Sequence, residues 1–206
     1  MATRAPRPPS EFSARQRRGW YLSVALTLAR VVLAPALIVA GAHEAPGWLL
    51  ALIVVLAFVS DALDGVVARR AGAVTTLLRR ADSLADTLFY LAVTWVLWRM
   101  YADALRPYGW VIVAVLIGEM LAYSTALVKF RRIASYHARS ARASGIALVS
   151  AIVPLFAWHS VTLVPIALIA IGVSQLESIA ITLLLRESRT DVPSAMVAWH
   201  SRSVQG

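Results

Sequence analysis

The 206-residue sequence contains no cysteine and few charged residues. The lack of cysteine excludes disulfides, zinc–thiolate sites, iron–sulfur clusters and thiol nucleophiles. Charged residues make up 15% of the chain and hydrophobic residues 59%, whereas about a quarter of an average soluble domain is charged. This composition excludes a water-soluble globule, a disordered chain and a collagen-like fibre, and it predicts an integral membrane protein.

Long apolar windows indicate the number of membrane spans, because a spanning helix needs about 20 mainly apolar residues. Six windows qualify: Tyr21–Gly41, Gly47–Arg69, Arg80–Tyr101, Pro107–Lys129, Ala143–Leu163 and Val164–Leu185. We therefore expect an all-α integral membrane fold with six transmembrane helices. The Arg-rich segment Ser10–Trp20 is predicted to be an amphipathic helix on the membrane surface. The expected regions are a cytoplasmic arm with this helix (1–20), a six-helix membrane domain (21–186) and a cytoplasmic tail (187–206).

The basic residues are distributed very unevenly among the predicted loops. Of the 20 Lys and Arg residues, 17 lie in the two termini and in the loops after the second and fourth spans. Because positive residues accumulate on the cytoplasmic side, both termini are predicted to be cytoplasmic, in a multi-pass protein of the inner (plasma) membrane. The net charge of +9 then reflects topology and anionic lipid headgroups, and no nucleic-acid partner is expected.

Four of the six aspartates cluster at the cytoplasmic ends of the second and third predicted spans: Asp61, Asp64, Asp82 and Asp86. Spacings of three and four residues place each pair on one helical face. By helical rise, Asp61 is about 12 Å from the end of its span and Asp86 about 9 Å into its own. Carboxylates held together at that depth need a compensating cation. A cluster of carboxylates with no Cys or His among them favours Mg²⁺ or Mn²⁺, and four carboxylates suffice for two ions.

The residues between the aspartate pairs point to phosphate chemistry. Gly65 allows close approach of a ligand or a neighbouring backbone. Ala68 is a small residue one turn beyond Asp64, and Arg69 offers a bidentate donor suited to phosphate. Carboxylates, metal and arginine beside the headgroup layer predict a phosphate-ester site, in which a spare carboxylate can take a proton from an attacking hydroxyl.

The tract Asp61-Ala-Leu-Asp64-Gly65-Val-Val-Ala68-Arg69, followed by Asp82-Ser-Leu-Ala-Asp86, resembles the signature of the CDP-alcohol phosphatidyltransferase family. That signature reads D-x2-D-G-x2-A-R-x8-G-x3-D-x3-D. One fixed position differs, because Leu78 stands where the family has its second glycine. Thr27-x2-Arg30-x4-Pro35 in the first span is also similar to the family, although Val24 replaces an upstream Asn.

The resemblance implies a metal-dependent enzyme that transfers a group from a CDP-linked lipid donor to an acceptor alcohol and releases CMP. It implies that Asp61, Asp64, Asp82 and Asp86 bind Mg²⁺ or Mn²⁺, and that Asp86 is also the general base. The donor nucleotide and diphosphate would contact a second set of residues: Gly65, Ala68, Arg69 and Leu78. A homodimer is expected by the same analogy. The Arg-rich, nearly Lys-free composition is typical of a GC-rich bacterium, which favours CDP-diacylglycerol over CDP-choline as the donor.

Two further groups of charged residues have alternative interpretations. The loop after the fourth span is either topogenic or an acceptor site for an anionic alcohol such as a polyol phosphate. Its candidate acceptor-binding residues are Arg131, Arg132, His137, Arg139 and Arg142. Within the spans, Arg30, Glu119 and Glu177 lie at similar depth, and intramembrane charges have either a functional or a structural role. The structural role is favoured here, as an ion pair of Arg30 with Glu119 or Glu177.

Three rival functions stay open at this stage. The same signature serves the reverse arrangement, in which a CDP-linked headgroup is transferred to a lipid alcohol. A family member that has lost catalysis, with Leu78 as the indication, would be a membrane scaffold. A metal-ion transporter is disfavoured, because its site would lie near the membrane midplane, whereas these aspartates lie towards one side.

Overall fold

A computed structural model describes residues 12–130 and 139–185. Within these ranges the chain is helical, without strands. Six α-helices follow one another: α1 (Ala14–Ala42), α2 (Gly47–Ala71), α3 (Thr76–Leu105), α4 (Gly109–Phe130), α5 (Arg139–Trp158) and α6 (Val164–Leu184). A 3₁₀ turn over Arg106–Tyr108 joins α3 to α4.

Five helical segments of the described chain are long and apolar enough to cross a membrane. They are Ala14–Ala42, Gly47–Ala71, Ala81–Phe130, Ser140–Trp158 and Val164–Leu184. The third and fourth predicted spans both fall in the 50-residue segment Ala81–Phe130, so the expected count of six is not reproduced. Large apolar side chains on the helices face outward, with Trp98 80% and Trp110 88% exposed, as expected for surfaces in contact with lipid.

Two predicted boundaries differ from the structure. Ala14–Trp20 is the beginning of α1 and continues into the span without a break, so the described residues contain no separate surface helix. Ser10 and Glu11 lie outside the described residues. The fifth span was predicted to reach Leu163, but α5 ends at Trp158. The hydropathy of this window does not show where α5 ends, because an average over the window does not detect the turn that follows.

The described chain divides into two compact units, of which unit 1 comprises residues up to Ala102 together with Phe156–Trp158. Its α1 buries a stripe of mostly small and polar residues at intervals of three and four: Gly19, Ser23, Thr27, Arg30, Ala34, Leu37 and Gly41. A Cβ added to Gly19 would lie 2.2 Å from the Cβ of Ala71 at the end of α2. This stripe therefore lets α1 approach its neighbours closely, as small residues do in membrane helices.

Unit 2 comprises Asp103–Leu155 and the residues from His159 onward. A core of Ala151, Val164 and Ala167 joins α5 to α6. Between α4 and α6, the Gln175 amide donates to the Val115 carbonyl at 2.9 Å. Gly118 makes room for this side chain, since a Cβ there would lie 2.4 Å from Gln175 Oε1.

Candidate metal and phosphate-ester site

The four aspartates of the signature come together in unit 1 from two helices. Asp61 and Asp64 lie in the second half of α2, three residues apart, and Asp82 and Asp86 lie four residues apart near the start of α3. Asp64 is buried, with 7% of its side chain exposed. The side chains of the other three are 36–47% exposed. The cluster is therefore reachable from outside the unit and has one deeply buried carboxylate.

Arg30 of α1 lies at the centre of this cluster. Its Nη1 donates to Asp61 Oδ1 at 3.0 Å and to Asp86 Oδ1. Its Nη2 donates to Asp64 Oδ2 and to Asp82 Oδ1. Each terminal nitrogen thus joins one aspartate of α2 to one of α3, and a single guanidinium links three helices.

The predicted ion pair of Arg30 with Glu119 or Glu177 is wrong, because the ion-pair partners of Arg30 among the described residues are these four aspartates. In unit 2, Glu119 accepts a hydrogen bond from Gln175 at 3.0 Å, and Glu177 accepts one from Ser140. The pairing was predicted from the similar depth of the three residues along their helices. Depth along a helix axis does not specify the direction that a side chain faces, and this is why the prediction failed.

Two hydroxyls of α1 complete the surroundings of Asp64. The Thr27 hydroxyl faces two acceptors. Its Oγ1 donates to Asp64 Oδ2 at 3.3 Å and to the Ser23 carbonyl at 3.0 Å. Ser23 Oγ donates to the backbone carbonyl of Asp64 at 3.2 Å. The sequence analysis missed this role of Ser23 and Thr27. The helical spacing could have indicated it, because Thr27 lies one turn and Ser23 two turns before Arg30 on the same helical face.

Three of the aspartates form a group that can hold a metal ion. One oxygen from each of Asp61, Asp64 and Asp82 lies within 4.8 Å of the others. Asp86 is not a member of this group, although it shares Arg30 with the other three. A donor set made only of carboxylate oxygens suits a hard divalent cation such as Mg²⁺ or Mn²⁺. The residues therefore fit the metal that the sequence predicted.

The predicted nucleotide-binding residues lie on either side of the α2–α3 connection. The Arg69 guanidinium lies over Gly65, since a Cβ on Gly65 would be 3.0 Å from Arg69 Nη1. Ala68 is buried, whereas Arg69 is exposed. Leu78 is in the first turn of α3, where its backbone N–H donates to Thr75 Oγ1 at 3.1 Å. Its side chain is buried, with 7% of the residue exposed.

Most of the predicted acceptor-binding cluster lies outside the described residues. This applies to Arg131, Arg132 and His137. Arg139 is the first residue of α5, and Arg142 is exposed in the first turn of that helix.

Unit 2 contains a polar cavity of about 290 Å³ between α4, α5 and α6. Its polar lining comes from Glu119, Tyr123, Ser144, Ser174, Gln175 and Ser178. None of the described residues that line this cavity is a lysine or arginine.

Comparison with known proteins gives one match. The sequence model of the CDP-alcohol phosphatidyltransferase family matches residues 20–197. The matched region includes all four clustered aspartates, Arg30 and Arg69. No curated protein and no solved structure matches the chain.

Proposed function

The chain belongs to the CDP-alcohol phosphatidyltransferase family, and we propose that it transfers a phosphatidyl group from CDP-diacylglycerol to an acceptor alcohol with release of CMP. Membership makes it a membrane transferase that uses a CDP-alcohol donor and an alcohol acceptor. The observation that carries the proposal is the convergence of four aspartates from α2 and α3.

The four aspartates would hold the divalent metal ions. Asp61, Asp64 and Asp82 offer oxygens within 4.8 Å of one another, and we propose two Mg²⁺ or Mn²⁺ ions at the full set of four aspartates. When bound, such an ion neutralises the negative charge of the donor diphosphate. Gly65, Ala68, Arg69 and Leu78 would contact the donor. Arg69 is suited to phosphate because its guanidinium is exposed and planar.

Asp86 is the proposed general base. It lies outside the group of three carboxylates and is about one-third exposed, so an acceptor has access to it. The acceptor oxygen forms a bond to the phosphorus of the phosphatidyl group. The bond from that phosphorus to the bridging oxygen breaks, CMP leaves with the electron pair, and the hydroxyl proton passes to Asp86.

We propose an anionic acceptor, such as a polyol phosphate, bound by the basic residues of the α4–α5 connection and of the first turn of α5. Arg142 supports this proposal, because it is exposed in the first turn of α5. An exposed guanidinium can form bidentate hydrogen bonds to a phosphate. The remaining proposed members are Arg131, Arg132, His137 and Arg139.

The proposed topology has six crossings, with both termini and the active site on the cytoplasmic face of the inner membrane. The segment Ala81–Phe130 has 50 residues, which at 1.5 Å per residue is about 75 Å of helix, against roughly 30 Å of hydrocarbon. Such a length suits two crossings, with the 3₁₀ turn over Arg106–Tyr108 between them. A homodimer is proposed from the family alone.

A CMP-release assay tests the transferase proposal. The purified protein is incubated with CDP-diacylglycerol and candidate alcohols, in Mg²⁺ and in EDTA, beside a double variant Asp61→Asn/Asp82→Asn. We expect metal-dependent CMP release by the wild type alone. Release only from CDP-linked headgroups with diacylglycerol as acceptor would favour the reverse arrangement. Inactivity toward every CDP-linked donor would favour a scaffold that has lost catalysis.

A further inference from the structure

Within the part of the chain that the structure describes, the polar side chains that hold Arg30 are those of the four aspartates. It is buried, with 1% of its surface exposed. Its Nε is also buried and has no hydrogen-bond partner among the described residues. All of its side-chain hydrogen bonds go from the two terminal nitrogens to carboxylate oxygens. The position of this guanidinium is therefore governed by the charge of the cluster.

The guanidinium and a divalent cation would use the same carboxylates. Asp61, Asp64 and Asp82 form the group that can hold a metal, and each of them accepts a hydrogen bond from Arg30. Two cations that share ligands repel each other and divide the same negative charge between them. At a buried position this repulsion is weakly screened by solvent.

The numbers of charged groups determine whether removing Arg30 strengthens or weakens metal binding. Four carboxyl groups face one guanidinium, and of the described side chains Arg30 is the only cation within ion-pair distance of them. Removing Arg30 leaves the carboxylates without an internal cation, which is costly inside a helix bundle. It also removes the repulsion that an incoming metal ion meets.

We infer that Arg30 is the internal counter-ion of the aspartate cluster and competes with the divalent metal for its carboxylates. This inference rests on the proposed metal site and adds a residue that sets its affinity. Arg30 is a positioning residue in this account: it weakens metal binding and stabilises unit 1 when the metal is removed.

The first test compares Mn²⁺ binding by Arg30→Met with binding by the wild type. Methionine has a similar length and no charge, and it is tolerated in an apolar interior. Arg70→Met is the matched control, because Arg70 is an exposed residue of α2 and the charge change is the same. Free Mn²⁺ is measured by electron paramagnetic resonance on purified protein in detergent. We expect Arg30→Met to bind Mn²⁺ at least about tenfold more tightly, and Arg70→Met to stay within about twofold of the wild type.

The second readout is thermal stability in EDTA and in saturating Mn²⁺. Arg30→Met is expected to melt at a lower temperature than the wild type in EDTA, because its carboxylates repel one another. In Mn²⁺ the added ions replace the lost charge. The rise in melting temperature from EDTA to Mn²⁺ is therefore expected to be larger for Arg30→Met than for the wild type. For Arg70→Met, this rise is expected to equal that of the wild type.

Equal or weaker Mn²⁺ binding by folded Arg30→Met would overturn the inference. If Arg30→Met does not fold, Arg30→Gln decides the question, because a neutral amide removes the charge but can still donate a hydrogen bond to a carboxylate. Its Mn²⁺ affinity is then expected to exceed that of the wild type, and an equal or lower affinity overturns the inference. A wild type that binds no Mn²⁺ overturns the proposed metal site itself, and this inference with it.

Discussion

Asp61 of α2 and Asp86 of α3 accept hydrogen bonds from the same nitrogen, Nη1 of Arg30. Asp64 and Asp82 form the corresponding pair on Nη2. The first residue of the α2 motif is thus paired with the last residue of the α3 motif. This order is the one expected when two consecutive helices run in opposite directions, and it gives each aspartate a partner on the other helix.

Replacing any one aspartate of the metal group is expected to abolish activity. Asp61→Asn, Asp64→Asn and Asp82→Asn each remove a charge that the cations need. CMP release should fall to background and Mn²⁺ binding should weaken, while EDTA should inactivate the wild type and Mg²⁺ or Mn²⁺ restore it. Asp103→Asn is the control, since Asp103 is exposed and belongs to unit 2. Full activity in one of the three variants would remove that residue from the site.

Asp86→Asn is expected to separate proton transfer from metal binding. Loss of a general base lowers the rate by about 10²–10⁴-fold. Because Asp86 lies outside the group of three, its replacement should leave Mn²⁺ and donor binding closer to the wild type than Asp61→Asn does. Calorimetric titration of both variants with the donor measures this difference. Equal losses of binding would mean that Asp86 acts chiefly as a metal ligand.

Leu78→Gly tests the one departure from the family signature. We expect it to change the donor KM more than the acceptor KM, because a buried side chain near the proposed pocket is lost. It should also lower the melting temperature, since removing a buried leucine side chain costs about 2–5 kcal/mol. Leu77→Gly is the matched control, because Leu77 lies in the same turn and is 64% exposed. An unchanged donor KM in Leu78→Gly would place this side chain outside the pocket.

The acceptor proposal predicts a selective effect of the basic residues that begin α5. The double variant Arg139→Gln/Arg142→Gln should raise the KM for an anionic acceptor several-fold while the donor KM stays constant. Arg99→Gln serves as the control, because it removes a positive charge away from the cluster. Arg99 lies over the Trp95 ring in α3. Unaltered acceptor kinetics in the double variant would assign the cluster to topology and leave a neutral alcohol as the acceptor.

Gly19→Ala is expected to destabilise unit 1, because its Cβ would lie 2.2 Å from the Cβ of Ala71. Overpacking of this kind costs about 1–3 kcal/mol, which exceeds the gain in helix propensity of up to about 1 kcal/mol. Gly145→Ala is the control, since an added Cβ there meets nothing within 4 Å. The apparent melting temperature should fall in Gly19→Ala and recover in Gly19→Ala/Ala71→Gly. Failure of the second change to restore stability would contradict this contact.

The sequence by itself determined the helical membrane class and the family. Long apolar windows predicted the segments that are long enough to span, and the spacing of Asp61, Asp64, Asp82 and Asp86 predicted the family that the comparison confirms. These properties are local. Helical periodicity places two carboxylates on one face whatever surrounds the helix, and apolarity along the chain is additive.

Only the tertiary structure decided which groups meet across helices. The sequence marked Arg30 as an unusual charge within a span but assigned it to Glu119 or Glu177, whereas it contacts the four aspartates. The direction of the Arg30 side chain depends on how closely α1 approaches α2. The missing side chain of Gly19 beside Ala71 permits this close approach. The rotation of a helix about its axis is set by packing against its neighbours. Periodicity gives the faces of a helix, and packing chooses what each face touches.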